Sequence, residues 1–436
     1  MLTAARARMP MNDSHAAGAT LGKHHPATTN IKPIYRLTRR VYHPWRWTTA
    51  PEPASMFTST RIGRYILWNR PTSHDHNRFP GLPLAPASKA RPLPDHPTPV
   101  RFGPVTLRGP AGPETTDLVP LLERTGTSAL LVLSRGAVAF EWYGNGGGRH
   151  TPGRCFSVTK SFASALLGIA IAEGALGGLD ATLADCLPEL QNDPKGALSL
   201  RHLMEMRSGI RFVAGPLPWS DDAICYFSPD CRAAARRAPV TDPVGAFFHY
   251  NDYHLFLVGM MLERATGMPV QDFFARRLWQ RIGAEYPASL TIDSRRCGFV
   301  HLESGLNATA RDLAKFGQLY LQKGQWDGAQ IVSADWVRDT TSPEGARRDP
   351  DWFRFYKDKP WGRVFASGRV FYKRFWWGHE VGPDDCDFFA MGALGQHIYV
   401  SPRHDTVIVR LSDRFPKGMW WPPVFRQLAE QASSAG

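Results

Sequence analysis

Ser157-Val158-Thr159-Lys160 leads into the run Ser-Phe-Ala-Ser-Ala-Leu-Leu-Gly-Ile-Ala-Ile-Ala from Ser161 to Ala172. The composition predicts a helix that ends near Gly174, apolar enough to be central. Residues i and i+3 share a helix face, so the Lys160 ammonium can reach the Ser157 hydroxyl. A serine hydroxyl is a poor nucleophile until a neighbouring base takes its proton. A lysine in a desolvated site can help do that. The pair therefore names a nucleophile, an activator and a reaction class, acyl transfer. A lone S-x-x-K is weak by itself, because a solvated lysine after a helix-capping serine reads the same way.

Strand signals flank this helix on both sides. Ala129-Leu130-Leu131-Val132-Leu133 and Ala137–Tyr143 surround Ser134-Arg135-Gly136, a hairpin pattern. Near the other end, Phe388–Met391, His397–Val400 and Val407–Leu411 read as strands. Helical patterns fill the middle: one from Leu200 to Ser208-Gly209, one over 251–266 closed by Gly267, one over 308–322 stopped by Gly324. Strands at both ends and helices between them predict one antiparallel sheet with a helical lobe beside it.

The chain has 436 residues, 43% hydrophobic and 21% charged, ordinary for a globular protein. Its net charge of +13 is concentrated at the start. Residues 1–100 hold 14 Lys+Arg against 4 Asp+Glu, which leaves about +3 for the other 336 residues. The basic excess belongs to the leader, so nucleic acid is not an expected partner of the catalytic region. Residues 1–60 read as a disordered Pro/His-rich leader, 61–115 as an extended proline-rich wrap, and 116–436 as the working domain. The N-terminus has arginines without a following apolar segment, and no apolar run is long enough for a membrane span. Six scattered cysteines show no ligand spacing, so reduced thiols, a cytoplasmic location and no metal are expected. The Gly144–Gly148 loop lacks the helix-opening dinucleotide fingerprint.

Several segments besides the tetrad belong together: Leu187-Pro188-Glu189-Leu190, Leu200-Arg201-His202-Leu203-Met204 through Ser208-Gly209, and Gly305-Leu306-Asn307-Ala308 through Gly317. From about Thr127 to Leu411 the chain strongly resembles the serine β-lactamase-like hydrolases. Within them it resembles the class C-type branch of penicillin-binding esterases, D-alanyl-D-alanine peptidases and 6-aminohexanoate-dimer hydrolases. The resemblance implies an α/β (α+β) sandwich, an antiparallel sheet flanked by helices, with an all-helical lobe at about 180–330. It implies Ser157 as nucleophile and Lys160 as its partner. The Tyr-x-Asn motif of the group corresponds to Tyr250-Asn251-Asp252, with Tyr250 as proton carrier. An ammonium beside it would bias Tyr250 toward phenolate. Asp252 stands where the commonest pattern has Asn, and either pairs with Lys160 or caps the following helix.

The third motif of the group, Lys-Thr-Gly or His-Thr-Gly, corresponds to Ala390-Met391-Gly392. The cation that helps bind a substrate carboxylate there is missing, which argues for esters or short amides over β-lactams and peptidoglycan stems. Gly392, with Gly395 closing the turn, would set the Ala393 amide beside the Ser157 amide as an oxyanion hole. Trp376, Trp377 and Gln396 are candidate pocket residues, although the tryptophans fit the core equally well. The expectation is a hydrolase of a small-molecule ester or amide that needs no cofactor. A β-lactamase or D-alanyl-D-alanine peptidase, and a non-catalytic binding protein using the leader as an arm, are the alternatives. His202, His249, His254 and His397 raise a Ser-His-Asp triad, but no G-x-S-x-G elbow lies near them.

Overall fold

The computed structural model describes residues 58–109, 112–359, 362–414 and 419–435. The leader up to residue 57 lies outside the described residues. The two ends of the working domain meet in one seven-stranded sheet. Its strands are β1 (Thr127–Ser134), β2 (Ala137–Tyr143), β3 (Val370–Lys373), β4 (Trp376–Gly382), β5 (Asp385–Gly392), β6 (Gln396–Ser401) and β7 (Thr406–Ser412). They run in the order β3-β4-β5-β6-β7-β1-β2, every neighbour antiparallel. The predicted union of the ends is the β7–β1 ladder, with Val409 opposite Leu131. Arg135 and Gly136 turn the β1–β2 hairpin with φ of 50° and 77°, the pair of left-handed residues that matches strand twist.

Helices cover both faces of the sheet, which is why β1 and β7 are buried nearly throughout rather than alternately. Helix α1 (Thr159–Ala172) follows the tetrad, α2 (Tyr253–Thr266) follows Tyr250, α3 spans Ala310–Leu321 and α4 spans Pro422–Ser434. Helix α3 approaches so closely that a Cβ on Gly317 would lie 2.5 Å from Val407 Cγ1 and 2.9 Å from Ile398 Cγ2. Phe425 of α4 packs on His397 and Tyr399, the neighbours of Ile398. Strand residues alternate faces, so α3 and α4 lie on opposite sides. Phe162 of α1 stacks on Phe316 of α3 with ring centroids 3.7 Å apart, which locks the nucleophile helix to the sheet layer.

The helical lobe is narrower than 180–330. Strands Ala288–Thr291 and Leu306–Ala308 join Gly81–Leu84 and Gly153–Arg154 in a small four-stranded sheet. Helix α3 belongs to the main sheet because Gly317 lets it seat there. The stretch expected as a wrap starts instead with a helix, Arg61–Trp68, whose first turn is capped by the Thr60 hydroxyl accepting from Gly63 N at 3.0 Å. Farther on it is extended, and Pro94, His96 and Val100 hydrogen-bond Val138 and Ala139 along the edge strand β2. That covers an edge otherwise open to strand addition. Among the described residues no helix is long and apolar enough to cross a membrane.

Candidate active site

Ser157 does not sit in α1 itself. It lies in a tighter turn, Phe156–Val158, which runs into α1 and leaves Lys160 in the first helical turn. Phe156 adopts φ 48°, a left-handed conformation that costs a side-chain-bearing residue roughly 1–2 kcal/mol. The ring is buried, stacked with Tyr226 and beside the Arg154 guanidinium. Strand Leu306–Ala308 fastens both ends of the turn. Cys155 N donates to Leu306 O at 2.8 Å, and Leu306 N donates to the Thr159 hydroxyl at 3.1 Å. The strained residue thus sits directly before the proposed nucleophile, where packing holds it in place.

Lys160 is 1% exposed, and three oxygens enclose its ammonium. Its Nζ donates to Ser157 Oγ at 2.8 Å and to Glu303 O at 2.8 Å, and lies 2.7 Å from Asp252 Oδ1. Burial opposes the charge on Lys160. Asp252 foremost, with Tyr250 and Glu303, outweighs burial and holds the ammonium above its ordinary range. An ammonium held charged in this way is a donor and has no lone pair to take the serine proton.

Tyr250 presents its ring to Nζ at 4.8 Å, with its hydroxyl in hydrogen-bonding reach of Ser157 and Lys160. Burial raises its ionisation. Lys160 pulls it down and Asp252 pushes it up, and the balance stays above the ordinary phenol value. The expected bias toward phenolate is present but outweighed, because burial penalises a second buried anion beside Asp252. Asn251, the middle residue of the motif, fixes the loop: Nδ2 donates to Ile210 O at 2.9 Å and Oδ1 accepts from Tyr253 N at 2.9 Å. Asp252 occupies the cap position of α2 without capping it. Its Oδ1 is sealed from solvent against Lys160, which decides between the two readings of this residue. Burial and Glu303 raise its carboxyl while Lys160 lowers it, leaving it above the usual range.

Gly392, at the end of β5, closes on the nucleophile turn. A Cβ there would stand 2.4 Å from Cys155 O and 3.1 Å from Ser157 N. The turn Ala393–Gly395 continues with Leu394 at φ 63° and Gly395 at φ 83°. Its last carbonyl is held from behind: Arg410 Nη1 donates to Gly395 O at 2.7 Å, and His397 Nδ1 lies 3.0 Å from the same oxygen. Arg410 is fully buried, which lowers it to about 9. Ala390 is buried and apolar, so the third motif offers backbone and no charge at that position.

The pocket candidates separate. Trp377 stacks on Tyr250 with centroids 6.2 Å apart and planes 19° apart. Trp376 points the other way, into Phe316 and Tyr320 of α3. Gln396 is 1% exposed, and its amide is spent on Ser412, donating to O at 2.7 Å and accepting from N at 2.9 Å. The histidines hold structure. His254 Nε2 meets Ser208 Oγ at 2.5 Å but its Nδ1 faces Met206 Sδ, with no carboxylate behind it, and burial lowers it to about 3. His202 closes the capping box of Ser199, and His249 stacks on Phe355. Tyr356, whose hydroxyl accepts from Tyr250 N at 3.0 Å, and Glu303 were not singled out from the sequence, where neither stands in a periodic or motif context.

The sequence pattern described as Beta-lactamase matches residues 119–432. The chain belongs to the beta-lactamase family, and it is a hydrolase. A curated relative, the 6-aminohexanoate-dimer hydrolase of Paenarthrobacter ureafaciens, is 28% identical over 382 residues, 84% of this chain and 86% of the relative. A Bacillus anthracis protein solved as a candidate 6-aminohexanoate-dimer hydrolase superposes with a TM-score of 0.68 at 22% identity, over 89% of this chain and 98% of its own. The penicillin-binding protein of Bacillus halodurans superposes with a TM-score of 0.52 at 15% identity, over 73% and 98%. These two superpositions show the shared fold. They confirm the expected sandwich of an antiparallel sheet with helices.

Proposed function

We propose that the chain cleaves an ester or a short linear amide through an acyl-enzyme on Ser157, with Tyr250 as the proton carrier and Lys160 as its fixed charge. The observation that carries this reading is the enclosed ammonium: Lys160 donates to Ser157 Oγ and Glu303 O at 2.8 Å and is ion-paired with Asp252 at 2.7 Å. With Lys160 spoken for as a donor, the remaining group in reach of the serine proton is Tyr250. The minority phenolate form of Tyr250 takes the Ser157 proton as Oγ bonds to the substrate carbonyl carbon. The tetrahedral oxygen rests on the Ser157 and Ala393 amides. Collapse breaks the bond to the leaving alcohol or amine, which receives the proton from Tyr250. A water then gives its proton to Tyr250 and attacks the acyl carbon, and Ser157 leaves with the proton returned. No step calls for a metal or cofactor.

The amide half of the reading is supported by the relative named for a linear amide dimer. The apolar Ala390 supports substrates without a carboxylate at that subsite, and weighs against a β-lactam or a peptidoglycan stem. Labelling by a fluorophosphonate probe tests the chemistry: wild type is labelled, and Ser157→Ala and Lys160→Ala are not. Undiminished labelling of Ser157→Ala refutes it. A panel of p-nitrophenyl esters, linear ω-amino-acid dimers and a fluorescent penicillin then ranks the substrates, with acylation by the penicillin favouring the lactamase or peptidase alternative.

A further inference from the structure

The turn after Gly392 is held from the α4 side of the sheet by a buried cation that the mechanism above does not use. Ala393–Gly395 passes through two left-handed residues, Leu394 at φ 63° and Gly395 at φ 83°. Leu394 carries a side chain, so this shape is strained and lasts only where its surroundings fix it. At one end Gly392 is paired with Gln396 in the β5–β6 ladder. At the other the Gly395 carbonyl takes two bonds, from Arg410 Nη1 at 2.7 Å and from His397 Nδ1 at 3.0 Å. A carbonyl only accepts, so Nδ1 carries the imidazole proton.

Arg410 stands opposite His397 in the β6–β7 ladder, and cross-strand partners share a sheet face. Its side chain has no exposure to solvent, and the Trp421 ring of α4 covers the guanidinium at 4.0 Å. Nε donates to the Thr127 hydroxyl at 3.0 Å, and Nη2 donates to Ser412 Oγ at 3.1 Å and Thr125 O at 3.2 Å. Together with Nη1, these bonds end on hydroxyls and main-chain carbonyls and none on a carboxylate. Burying a cation without a bonded counter-ion is costly, and an aliphatic side chain under Trp421 would avoid that cost. What an aliphatic chain lacks is direction. A planar fork fixed at Nε and Nη2 presents Nη1 along one line, and that line ends on the Gly395 carbonyl.

We propose that Arg410 is a positioning residue for the oxyanion hole: its fork, fixed by Thr125, Thr127 and Ser412, holds the Gly395 carbonyl and through it sets the Ala393 amide beside the Ser157 amide. The inference rests on the acyl-enzyme reading of Ser157.

The test is kcat and KM for a p-nitrophenyl ester, with the rate of fluorophosphonate labelling, on the full chain and well below the thermal midpoint of each variant. Arg410→Met fills the space and removes the fork. Its kcat and labelling rate should fall together by about 10–100-fold with KM within about threefold, since the phosphonyl oxygen uses the same amides. Arg410→Lys keeps a charged donor on a stem of similar length and should recover part of that loss. A lowered midpoint with kcat within twofold of wild type in Arg410→Met overturns the proposal, as does equal kcat in the methionine and lysine variants, because the loss would then belong to packing. Thr127→Val removes the hydroxyl that fixes Nε and leaves Gly395 untouched, so kcat should fall several-fold; if Arg410→Met does not fold, wild-type kcat in Thr127→Val overturns the proposal. Labelling that persists in Ser157→Ala defeats the underlying reading instead and takes this inference with it, so the two failures are distinguishable.

Discussion

Gly392→Ala is the sharpest perturbation available, because the backbone there has no objection to a side chain. Gly392 has φ −126° and ψ 164°, an extended conformation open to any residue. The whole effect must come from the added methyl. Its Cβ would meet Cys155 O at 2.4 Å and Ser157 N at 3.1 Å. Atoms of these kinds do not approach closer than about 3.0 Å, so β5 or the nucleophile turn has to retreat by about 0.6 Å. Neither can do so freely: the turn is tied to strand Leu306–Ala308 through Cys155 and Thr159, and Gly395 is tied to Arg410. Overpacking of this kind costs about 1–3 kcal/mol of stability. The retreat opens the space between the Ser157 and Ala393 amides. A misplacement of about 1 Å can cost about a hundredfold in rate, and loss of one oxyanion donor about 10²–10³. The expected result is a fall in kcat of roughly 10–100-fold with KM little changed, measured with a p-nitrophenyl ester against wild type and paired with a thermal melt. A lowered melting point with kcat within twofold of wild type would refute the oxyanion assignment, because the methyl would then strain the fold without touching the chemistry.

The raised ionisation of Tyr250 sets a pH profile. A base must lose its proton to act, so kcat/KM should climb up to about tenfold per unit from pH 6 to 9; a plateau already at pH 7 contradicts Tyr250 as the base. Asp252→Asn keeps an oxygen toward Lys160 and removes the charge that raises Tyr250, so the rising limb should move down by about one pH unit; an upward move counts against the pairing. Trp376→Ala empties a core site between α3 and β5 and should cost about 3–5 kcal/mol in denaturant melts. Trp377→Phe should instead lower kcat with a small stability change, since that ring lies along Tyr250. Equal stability losses and equal activities for the two would erase the distinction between core and site.

The hairpin around Arg135-Gly136, the helix after Lys160 and the stop at Gly267 were legible because each has a local cause: left-handed turn residues, a continuous apolar run, a glycine at φ 65°. The pairing of β7 with β1 was legible as well, since strands at both ends with helices between leave few other ways to bury them. The boundaries of the helical lobe were not, because α3 is assigned to the sheet by Gly317 lying against Val407 and Ile398, a contact across the fold. The same division runs through the site. Ser157 and Lys160 are linked by helix geometry, but Glu303 reaches Lys160 from 143 residues away, and nothing in His301-Leu302-Glu303-Ser304 announces it. Trp376 and Trp377 were inseparable as letters. Strand alternation sends one to Phe316 and the other to Tyr250, and the register that decides which is which belongs to the whole sheet.

The electrostatics of the site then follow from three positions taken together. The third motif presents Ala390, and Lys160 is ion-paired with the Asp252 carboxylate at 2.7 Å. The ammonium is thus matched by a carboxylate inside the site and has no surplus charge to offer a substrate carboxylate. Its role is spent inside the site, where it lowers the cost of a transient phenolate on Tyr250 against the burial and the Asp252 charge that oppose one. Removing the Asp252 charge therefore has two opposed effects. It eases the ionisation of Tyr250, and it loosens the proton on Lys160 that makes that ionisation useful. On the proposed mechanism the first effect dominates while Lys160 keeps its proton, so Asp252→Asn moves the rising limb of the profile.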